Sequence, residues 1–288
     1  MTYLLALGSA LLYGAADFTG GLATKRAGTI PVVFLSQASG LALLALLLPV
    51  LPDAQPTRPD LMWGAVAGLT GGIGVALLYR ALAIGTMAVV APTTAVCAVT
   101  IPVAVAIVLG ERPVPLAGAG IVLGIVSIVL VSQHTPASAE RQQRGQRKTL
   151  PPGVGTALVS GVAIGFFFLA LARTRSEAGM WPLLVSRSLT VTLFGLISIV
   201  GRRSVRMPGT VAILAILCGA VDMVANALYL LAAREGPLSI VVTLSSLYPA
   251  STVLLARIVL RERLNFWQVS GVACALAAVV LIVRGGSP

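Results

Sequence analysis

Residues Val89–Arg112 read VVAPTTAVCAVTIPVAVAIVLGER, an apolar run of membrane length that ends on a Glu-Arg pair. A second run of the same design, IVVTLSSLYPASTVLLARIVLRER, occupies Ile240–Arg263 and also ends on Glu-Arg. The two pairs begin at Glu111 and Glu262, so the copies are offset by 151 residues. This offset is the strongest clue to the architecture of the chain.

The composition indicates an integral membrane protein. Hydrophobic residues make up 57% of the chain and charged residues 10%, whereas soluble domains carry roughly 25% charged residues. The net charge of +11 comes from Lys and Arg in short loops between apolar runs, which is the pattern of membrane orientation and argues against nucleic-acid binding. We therefore expect a multi-pass protein of the cell membrane, specifically a bacterial inner membrane.

Apolar runs recur along the chain and predict an all-α protein with ten transmembrane helices. A polar, basic segment at residues 133–152 divides them into two sets of five. We predict a first five-helix repeat at 1–132, a linker at 133–152 and a second repeat at 153–288. The predicted spans are Tyr3–Leu22, Ile30–Leu51, Leu61–Ile84, Met87–Gly110, Val114–Ser132, Gly153–Arg173, Met180–Val200, Pro208–Ala233, Leu238–Leu260 and Leu264–Val283.

Sliding the chain by 151 residues aligns the two halves without a gap. Gly14 then meets Gly165, and Gly68 meets Gly219. Because each half has an odd number of spans, the second half lies inverted in the membrane. Inverted repeats around a central cavity are typical of secondary transporters, which predicts alternating access.

The duplicated endings LGER (Leu109–Arg112) and LRER (Leu260–Arg263), with the opening LLYGAADFTGGLATKRAG, resemble the drug/metabolite transporter (DMT) superfamily, specifically its ten-helix EamA-type transporters. The resemblance implies a basket of ten helices in which the first, third and fourth of each half line the cavity. It also implies export of amino acids and other small metabolites. The superfamily includes nucleotide-sugar and phosphate carriers, so the resemblance leaves the substrate open.

Charged residues inside a bilayer are costly and mark functional sites or ion pairs. Asp17 is predicted roughly 20 Å from the side of the N-terminus, with Gln37 at about the same depth. Arg80 lies near the far end of the third helix, within reach of Asp17 if their faces meet. We expect Asp17 to bind a proton or a substrate ammonium group.

Arg187 and Asp222 are predicted at similar depths on two different helices. They therefore form a predicted intramembrane ion pair, and Asn226 lies one turn from Asp222 on the same face. Asp222 is a second candidate for proton or ammonium binding. The alternative is a structural pair that orients the helices.

Pro92, Pro102 and Pro249 lie inside predicted helices, where each removes a backbone hydrogen bond and introduces a kink. The hydroxyl groups beside them are predicted to line a mildly polar pocket, or to form hydrogen bonds between helices. The candidate residues of this kind, together with one tyrosine of the third helix, are Thr93, Thr94, Ser245, Tyr248 and Tyr79.

The Glu-Arg endings are interpreted as helix termini, with a gate as the alternative. No motif indicates catalysis, a metal, a cofactor or ATP. The expected partners are a small-molecule substrate, protons and the lipid bilayer. Gly120 and Gly124 are expected to serve either core packing or a weak homodimer contact. The alternatives to a metabolite exporter are a membrane scaffold or sensor, and a carrier of sugar-nucleotides or phosphorylated substrates.

We call the membrane face at the N-terminus side A and the opposite face side B. Apart from the buried Arg187, side A holds six Lys/Arg residues and side B holds thirteen. The positive-inside rule therefore predicts a cytoplasmic side B, whereas the family resemblance implies cytoplasmic termini.

Overall fold

The computed structural model describes residues 2–108, 115–131, 150–202, 205–235, 245, 247–262, 264 and 266–285. Ten α-helices lie within these ranges, which confirms the prediction of an all-α, ten-helix fold. Helices close their backbone hydrogen bonds internally, as lipid requires. They are α1 Thr2–Ala27, α2 Thr29–Leu47, α3 Arg58–Ile84, α4 Met87–Val108, α5 Pro115–Val131, α6 Val154–Ala172, α7 Trp181–Val200, α8 Gly209–Glu235, α9 Tyr248–Val259 and α10 Phe266–Gly285.

Five helical segments in the described part of the chain are long and apolar enough to cross a membrane. Shorter apolar helices are Met87–Ala98, Tyr248–Val259 and Val269–Leu281. The five longer segments are Thr29–Val50, Arg58–Ile84, Val154–Leu171, Trp181–Val200 and Gly209–Ala232.

Tight connections make successive helices antiparallel. Gly28, with a φ of 83°, alone separates α1 from α2, and Gly153, with a φ of 87°, precedes α6. Glycine adopts such left-handed conformations without steric cost. The described part of the ninth span is α9, which begins at Tyr248 and holds Pro249 in its first turn. Proline is favoured there because it removes no hydrogen bond within α9; most of the predicted span before Tyr248 lies outside the described residues.

Equivalent helices of the two halves make equivalent contacts with the opposite half. Helix α1 packs against α8 and α9, and its counterpart α6 packs against α3 and α4. Likewise, the contact of α3 with α7 is matched by that of α8 with α2, while α5 and α10 pair with each other. Two inverted copies of one five-helix unit produce this arrangement.

Glycines at the 151-residue offset permit equivalent close approaches. A Cβ at Gly14 of α1 would collide with Ser251 and the Tyr248 carbonyl of α9. A Cβ at Gly165 of α6 would lie 2.6 Å from Cβ of Ile101 in α4. These glycines bring the helix backbones close together in both halves.

The glycine ridge of α3 packs on small residues of α7 that share its four-residue spacing. Gly64, Gly68 and Gly72 lie respectively against Pro182, Ser186 and Thr190. In the second half, Gly219 of α8 lies against the Ser36 carbonyl of α2. The ridge of α3 therefore serves close packing in the core of the bundle.

Two interhelical hydrogen bonds also repeat at the same offset. Thr94 Oγ1 donates to the Ala157 carbonyl at 3.3 Å. Ser245 Oγ donates to the Ala6 carbonyl at 3.4 Å. Both the donor and the acceptor residues of these two bonds are 151 positions apart, so the repeat extends to individual contacts.

The main apolar core lies in the half of the bundle toward side B. Its residues come from the end of α1, α3 and α9 and from the beginning of α2, α4, α6 and α8, with one residue of α7. Its buried members are Ala16, Phe18, Ala23, Val32, Val33, Leu78, Tyr79, Ala81, Leu82, Met87, Val90, Ala91, Ala157, Phe194, Val211, Ala215, Cys218 and Ala256.

Two polar contacts join the halves at opposite membrane faces. At side A, Asp60 near the start of α3 forms an ion pair with Arg175, with Nη2 and Oδ2 3.1 Å apart. At side B, the Glu262 carboxylate accepts hydrogen bonds from the backbone N–H groups of Met87 and Ala88, at 3.0 and 3.1 Å. Glu262 therefore caps the start of α4.

Candidate functional site

A buried ion pair joins three helices. The Arg187 guanidinium of α7 donates to Asp222 Oδ2 of α8 and to Gln37 Oε1 of α2. The two charged side chains retain only 8% and 15% of their accessible surface. The predicted Arg187–Asp222 ion pair is therefore confirmed, and the structure adds Gln37 to it.

Asn226 lies one turn beyond Asp222 on the same face of α8, as predicted. Its Nδ2 donates to the Asp222 carbonyl at 2.7 Å and approaches Asp222 Oδ2 at 3.4 Å. The Asp222 carboxylate is thus bonded by a guanidinium and approached by an amide. Burial of a charge is tolerated when it is paired and hydrogen-bonded in this way.

Asp17 differs from Asp222 in lacking a partner. It is 9% exposed, and no other described residue donates a hydrogen bond to its carboxylate. The oxygens keep accessible surface, since the one fully enclosed, unpaired side-chain atom in the described ranges is Thr24 Oγ1. Asp17 also lies within electrostatic range of Asp222. Asp17 is therefore a buried acidic residue without a partner among the described residues.

Tyr79 and Cys218 join α3 and α8 beside α1. The Tyr79 hydroxyl lies 3.1 Å from Cys218 Sγ, and Sγ donates to the Ala16 carbonyl at 3.2 Å. The tyrosine ring packs directly on α1 at Gly20, where any Cβ would overlap the ring. Both groups belong to the apolar core toward side B.

Three further tyrosines lie on the side-A flank of Asp17. Tyr13 and Tyr248 form an edge-on pair with ring centroids 6.4 Å apart, and Tyr229 is within electrostatic range of Tyr13. All three are half-buried, and no hydrogen bond joins their hydroxyls to another described residue. The sequence reasoning selected Tyr248 but missed Tyr13, Tyr229 and Cys218.

Helical spacing contained a signal for two of the missed residues. Tyr13 precedes Asp17 by four positions, and Tyr229 follows Asp222 by seven. Residues at these spacings share a helix face. Cys218 gave no such signal, because it resembles any small apolar residue of a packed helix.

The predicted hydroxyl residues have internal partners. Thr93 Oγ1 donates to the carbonyl of Val89, one turn earlier, at 2.8 Å. Ser245 Oγ lies 2.8 Å from Ser9 Oγ in addition to its bond with α1. With Thr94 bonded to α6, the three hydroxyls all take part in backbone or interhelical hydrogen bonds.

Arg80 lies apart from this cluster. It is exposed, whereas the adjacent Tyr79 is 2% exposed. Successive side chains of a helix point about 100° apart, so α3 directs Tyr79 inward and Arg80 outward. The structure therefore does not bring Arg80 to Asp17 as the depth arithmetic suggested.

Glu262 has a partner that the sequence did not reveal. Arg261 adopts a positive φ of 52°, which turns the chain after α9 toward the start of α4. The other candidate charges at the repeat ends, Glu111, Arg112 and Arg263, lie outside the described residues. In the part of the chain that the structure describes, no group of His, Cys, Asp and Glu could hold a metal ion.

The EamA-like transporter family model matches residues 1–133 and 151–284. This chain belongs to that family. It is thus a multi-pass membrane transporter of the drug/metabolite type, with a small-molecule substrate and lipid as its surroundings. A solved structure described only as a crystal structure of a protein has 19% identity and a TM-score of 0.59, covering 97% of this chain and 95% of that chain. No curated protein matches the sequence.

In this EamA-like transporter the charges at mid-depth do not cancel. Arg187 is neutralised by Asp222, and Asp17 remains as a second carboxylate. An ionised Asp17 would be costly in this setting without a counter-charge.

Proposed function

We propose that this protein is a secondary transporter that exports a small amine-bearing metabolite, an amino acid or a related compound, by alternating access. The observation that carries the proposal is the Asp17 carboxylate, which is 9% exposed and has no hydrogen-bonding partner among the described residues. In the proposed mechanism, Asp17 binds the ligand from one side of the membrane and releases it to the other.

The distribution of the core supports alternating access. The apolar cluster packs the side-B half, and Glu262 ties α4 to the end of α9 there. The half-buried tyrosines lie on the side-A flank of Asp17. This arrangement corresponds to a state closed toward side B, and exchange of the two inverted halves would generate the opposite state.

The two acidic residues take different roles in this proposal. Asp17 accepts either the substrate ammonium group or a proton, and these two occupants exclude each other. Asp222 stays paired with Arg187 and fixes the relative positions of α2, α7 and α8. Proton coupling arises because Asp17 returns from each export step protonated.

The geometry disfavours carriage of sugar-nucleotides or phosphorylated substrates. Such anions require free cationic side chains at the site. Arg187, the buried cation of the described region, is already bonded to Asp222 and Gln37, and Arg80 is exposed. An ammonium ligand, by contrast, would pair with the Asp17 carboxylate, which has no partner among the described residues.

Transport by purified protein in proteoliposomes tests the proposal. We expect uptake of radiolabelled amino acids or related amines to respond to a pH gradient, and Asp17→Asn to abolish that response while the protein stays folded. Asp53→Asn, which neutralises an exposed loop carboxylate, is the matched control. Absence of flux across a broad panel, or normal proton coupling in Asp17→Asn, would contradict the proposal.

We further propose a bacterial inner-membrane location with side B in the cytoplasm, following the Lys/Arg count. Reporter fusions at the C-terminus test this orientation. A phosphatase fusion, which is active outside the cytoplasm, should be active, and a fluorescent-protein fusion that matures in the cytoplasm should be dark. The reverse pattern would place the termini in the cytoplasm.

A further inference from the structure

We propose that Arg80 and Arg202 bind the phosphate group of an anionic phospholipid in the side-B leaflet, where α3 and α7 end. The site lies on the outer surface of the bundle, and neither Asp17 nor the Arg187–Asp222 pair takes part in it. The proposal goes beyond the transport function, because it assigns a ligand to the surface that faces the bilayer.

One face of α3 is covered by lipid. Large apolar side chains are exposed along this helix and recur with its 3.6-residue period, so they share one face. Helix α1 packs on the opposite side, where Tyr79 contacts Gly20. A continuous exposed apolar face on a membrane-spanning helix indicates contact with lipid tails. Its members are Met62, Val66, Leu69, Ile73 and Ile84.

Arg80 lies on this same face, seven positions after Ile73 and four before Ile84. Trp63, which is 39% exposed, marks the interface at side A, where tryptophan is favoured. Arg80 follows Trp63 by about 26 Å along the helix axis, and the hydrocarbon core of a bilayer is about 30 Å thick. Arg80 therefore lies at the side-B edge of the hydrocarbon, where its long side chain extends to the phosphate groups.

Helix α7 brings a second arginine to nearly the same depth. Both α3 and α7 run from side A to side B, and each close contact between them joins residues 118 positions apart. These contacts are Gly64 with Pro182, Gly68 with Ser186, and Gly72 with Thr190. The same register pairs Ile84 with Arg202, which follows the end of α7. Arg80 and Arg202 thus lie on adjacent helices and differ in depth by one turn, about 6 Å.

Neither arginine is neutralised by the protein in the part of the chain that the structure describes. Both are exposed, and no ion pair or hydrogen bond joins either guanidinium to another described residue. Glu262 is the acidic residue described at the side-B surface, and its carboxylate already accepts two hydrogen bonds from α4. Guanidinium groups match phosphate oxygens in geometry and charge, so an anionic phospholipid supplies the missing counter-charge.

The test measures the lipid preference of the full-length protein in mild detergent at low salt. Native mass spectrometry quantifies bound phosphatidylglycerol and bound phosphatidylcholine with the same acyl chains. We expect phosphatidylglycerol to bind more tightly by roughly 5-fold for each arginine. Inorganic phosphate at the same concentration should not displace it, because it lacks the acyl chains that contact α3. Equal binding of the two lipids, or displacement by inorganic phosphate, would overturn the proposal.

Variants separate this site from diffuse surface charge. Arg80→Gln and Arg202→Gln should each lower the preference for phosphatidylglycerol roughly 5-fold, and the double variant should abolish it. Arg80→Lys keeps the charge and should retain most of the preference. The matched controls are Arg26→Gln, at the side-B end of α1, and Arg58→Gln, at the other end of α3; both replace exposed arginines. A wild-type preference in the folded double variant, or an equal loss in Arg26→Gln, would contradict the assignment.

The outcome is independent of the proposed transport function, because lipid binding in detergent requires neither a substrate nor a gradient. If the protein transports amines but shows no preference for phosphatidylglycerol, the lipid site is refuted and the transport proposal stands. If the arginine-dependent preference is present but no compound crosses proteoliposome membranes, the lipid site stands and the transport proposal fails.

Discussion

The two halves of the bundle match in their packing contacts and differ in their charges. Gly14 and Gly165 permit the same close approach at the 151-residue offset, and the bonds from Thr94 and Ser245 repeat in the same way. Asp17, by contrast, corresponds to Phe168 of the second half. These packing contacts occur twice, and the buried acidic residue without a partner among the described residues occurs once.

This difference shows how an inverted repeat can serve a single site. The paired contacts allow both halves to adopt either of two packings, which alternating access requires. The charged residues differ between the halves. The first half contributes Asp17, which has no partner among the described residues, and the second contributes the Arg187–Asp222 pair. We therefore expect substitutions of scaffold residues to have similar effects in both halves, and substitutions of the two acids to diverge.

The largest loss of stability is expected when one residue of the Arg187–Asp222 ion pair is replaced. Asp222→Asn leaves the Arg187 charge buried without its counter-ion, which should cost about 3–5 kcal/mol of stability. The double variant Arg187→Met with Asp222→Leu should recover most of that loss, because no buried charge remains. Chemical unfolding of purified protein in mild detergent measures both. A single variant as stable as the wild type would show that Arg187 does not depend on Asp222.

A smaller, symmetric effect is expected at the paired glycines. Gly68→Val and Gly219→Val each place side-chain atoms against a backbone carbonyl, at Ser186 and Ser36 respectively. Overpacking of this kind costs about 1–3 kcal/mol. Gly155→Val is the control, since no atom lies within 4 Å of its added Cβ. Thermal unfolding should show a lower transition temperature for both variants and an unchanged one for the control. Destabilisation by only one of the two substitutions would show that the two halves are not packed equivalently.

The repeated interhelical hydrogen bonds should contribute less to stability than the glycine contacts do. Thr94→Val and Ser245→Ala each remove one buried hydroxyl donor, at an expected cost of about 0.5–1.5 kcal/mol. Thr70→Val removes a hydroxyl that bonds within its own helix and serves as the control. Unfolding free energies within experimental error of the control would show that these bonds add nothing to the helix contacts.

The smallest effect on stability is expected at Asp17. Asp17→Asn breaks no hydrogen bond or ion pair and removes a charge that is costly to bury, so stability should stay within about 0.5 kcal/mol of the wild type or rise. The same unfolding assay, run beside Asp222→Asn, provides the contrast. Destabilisation of the Asp17 variant comparable to that of Asp222→Asn would mean that Asp17 is a structural residue after all.

The scaffold was predictable because its determinants are local or periodic. Apolar length predicted the helices, the constant offset predicted the inverted halves, and rise per residue brought Arg187 and Asp222 to one level. The side of the helix to which a residue points was harder to predict from the sequence. Arg80 was assigned by depth alone, and a rotation of one residue places it outside the cluster.

Contacts between distant termini were not predictable from the sequence. Glu262 was interpreted as part of a helix end, but its carboxylate caps a different helix, and no local pattern encodes that partner. Tyr13 and Tyr229 were overlooked for a different reason. Their spacing from Asp17 and Asp222 places them on the same helix faces, and the sequence reasoning did not use this signal.

The cap on α4 also has a consequence for biosynthesis. Met87 and Glu262 are separated by 175 positions in the chain. At about 5–20 residues per second, a ribosome needs roughly 10–35 s to reach the capping residue after α4 begins to emerge. During that interval the first N–H groups of α4 depend on water or headgroups at the membrane surface. The start of α4 is therefore completed only after nearly the whole protein has been inserted.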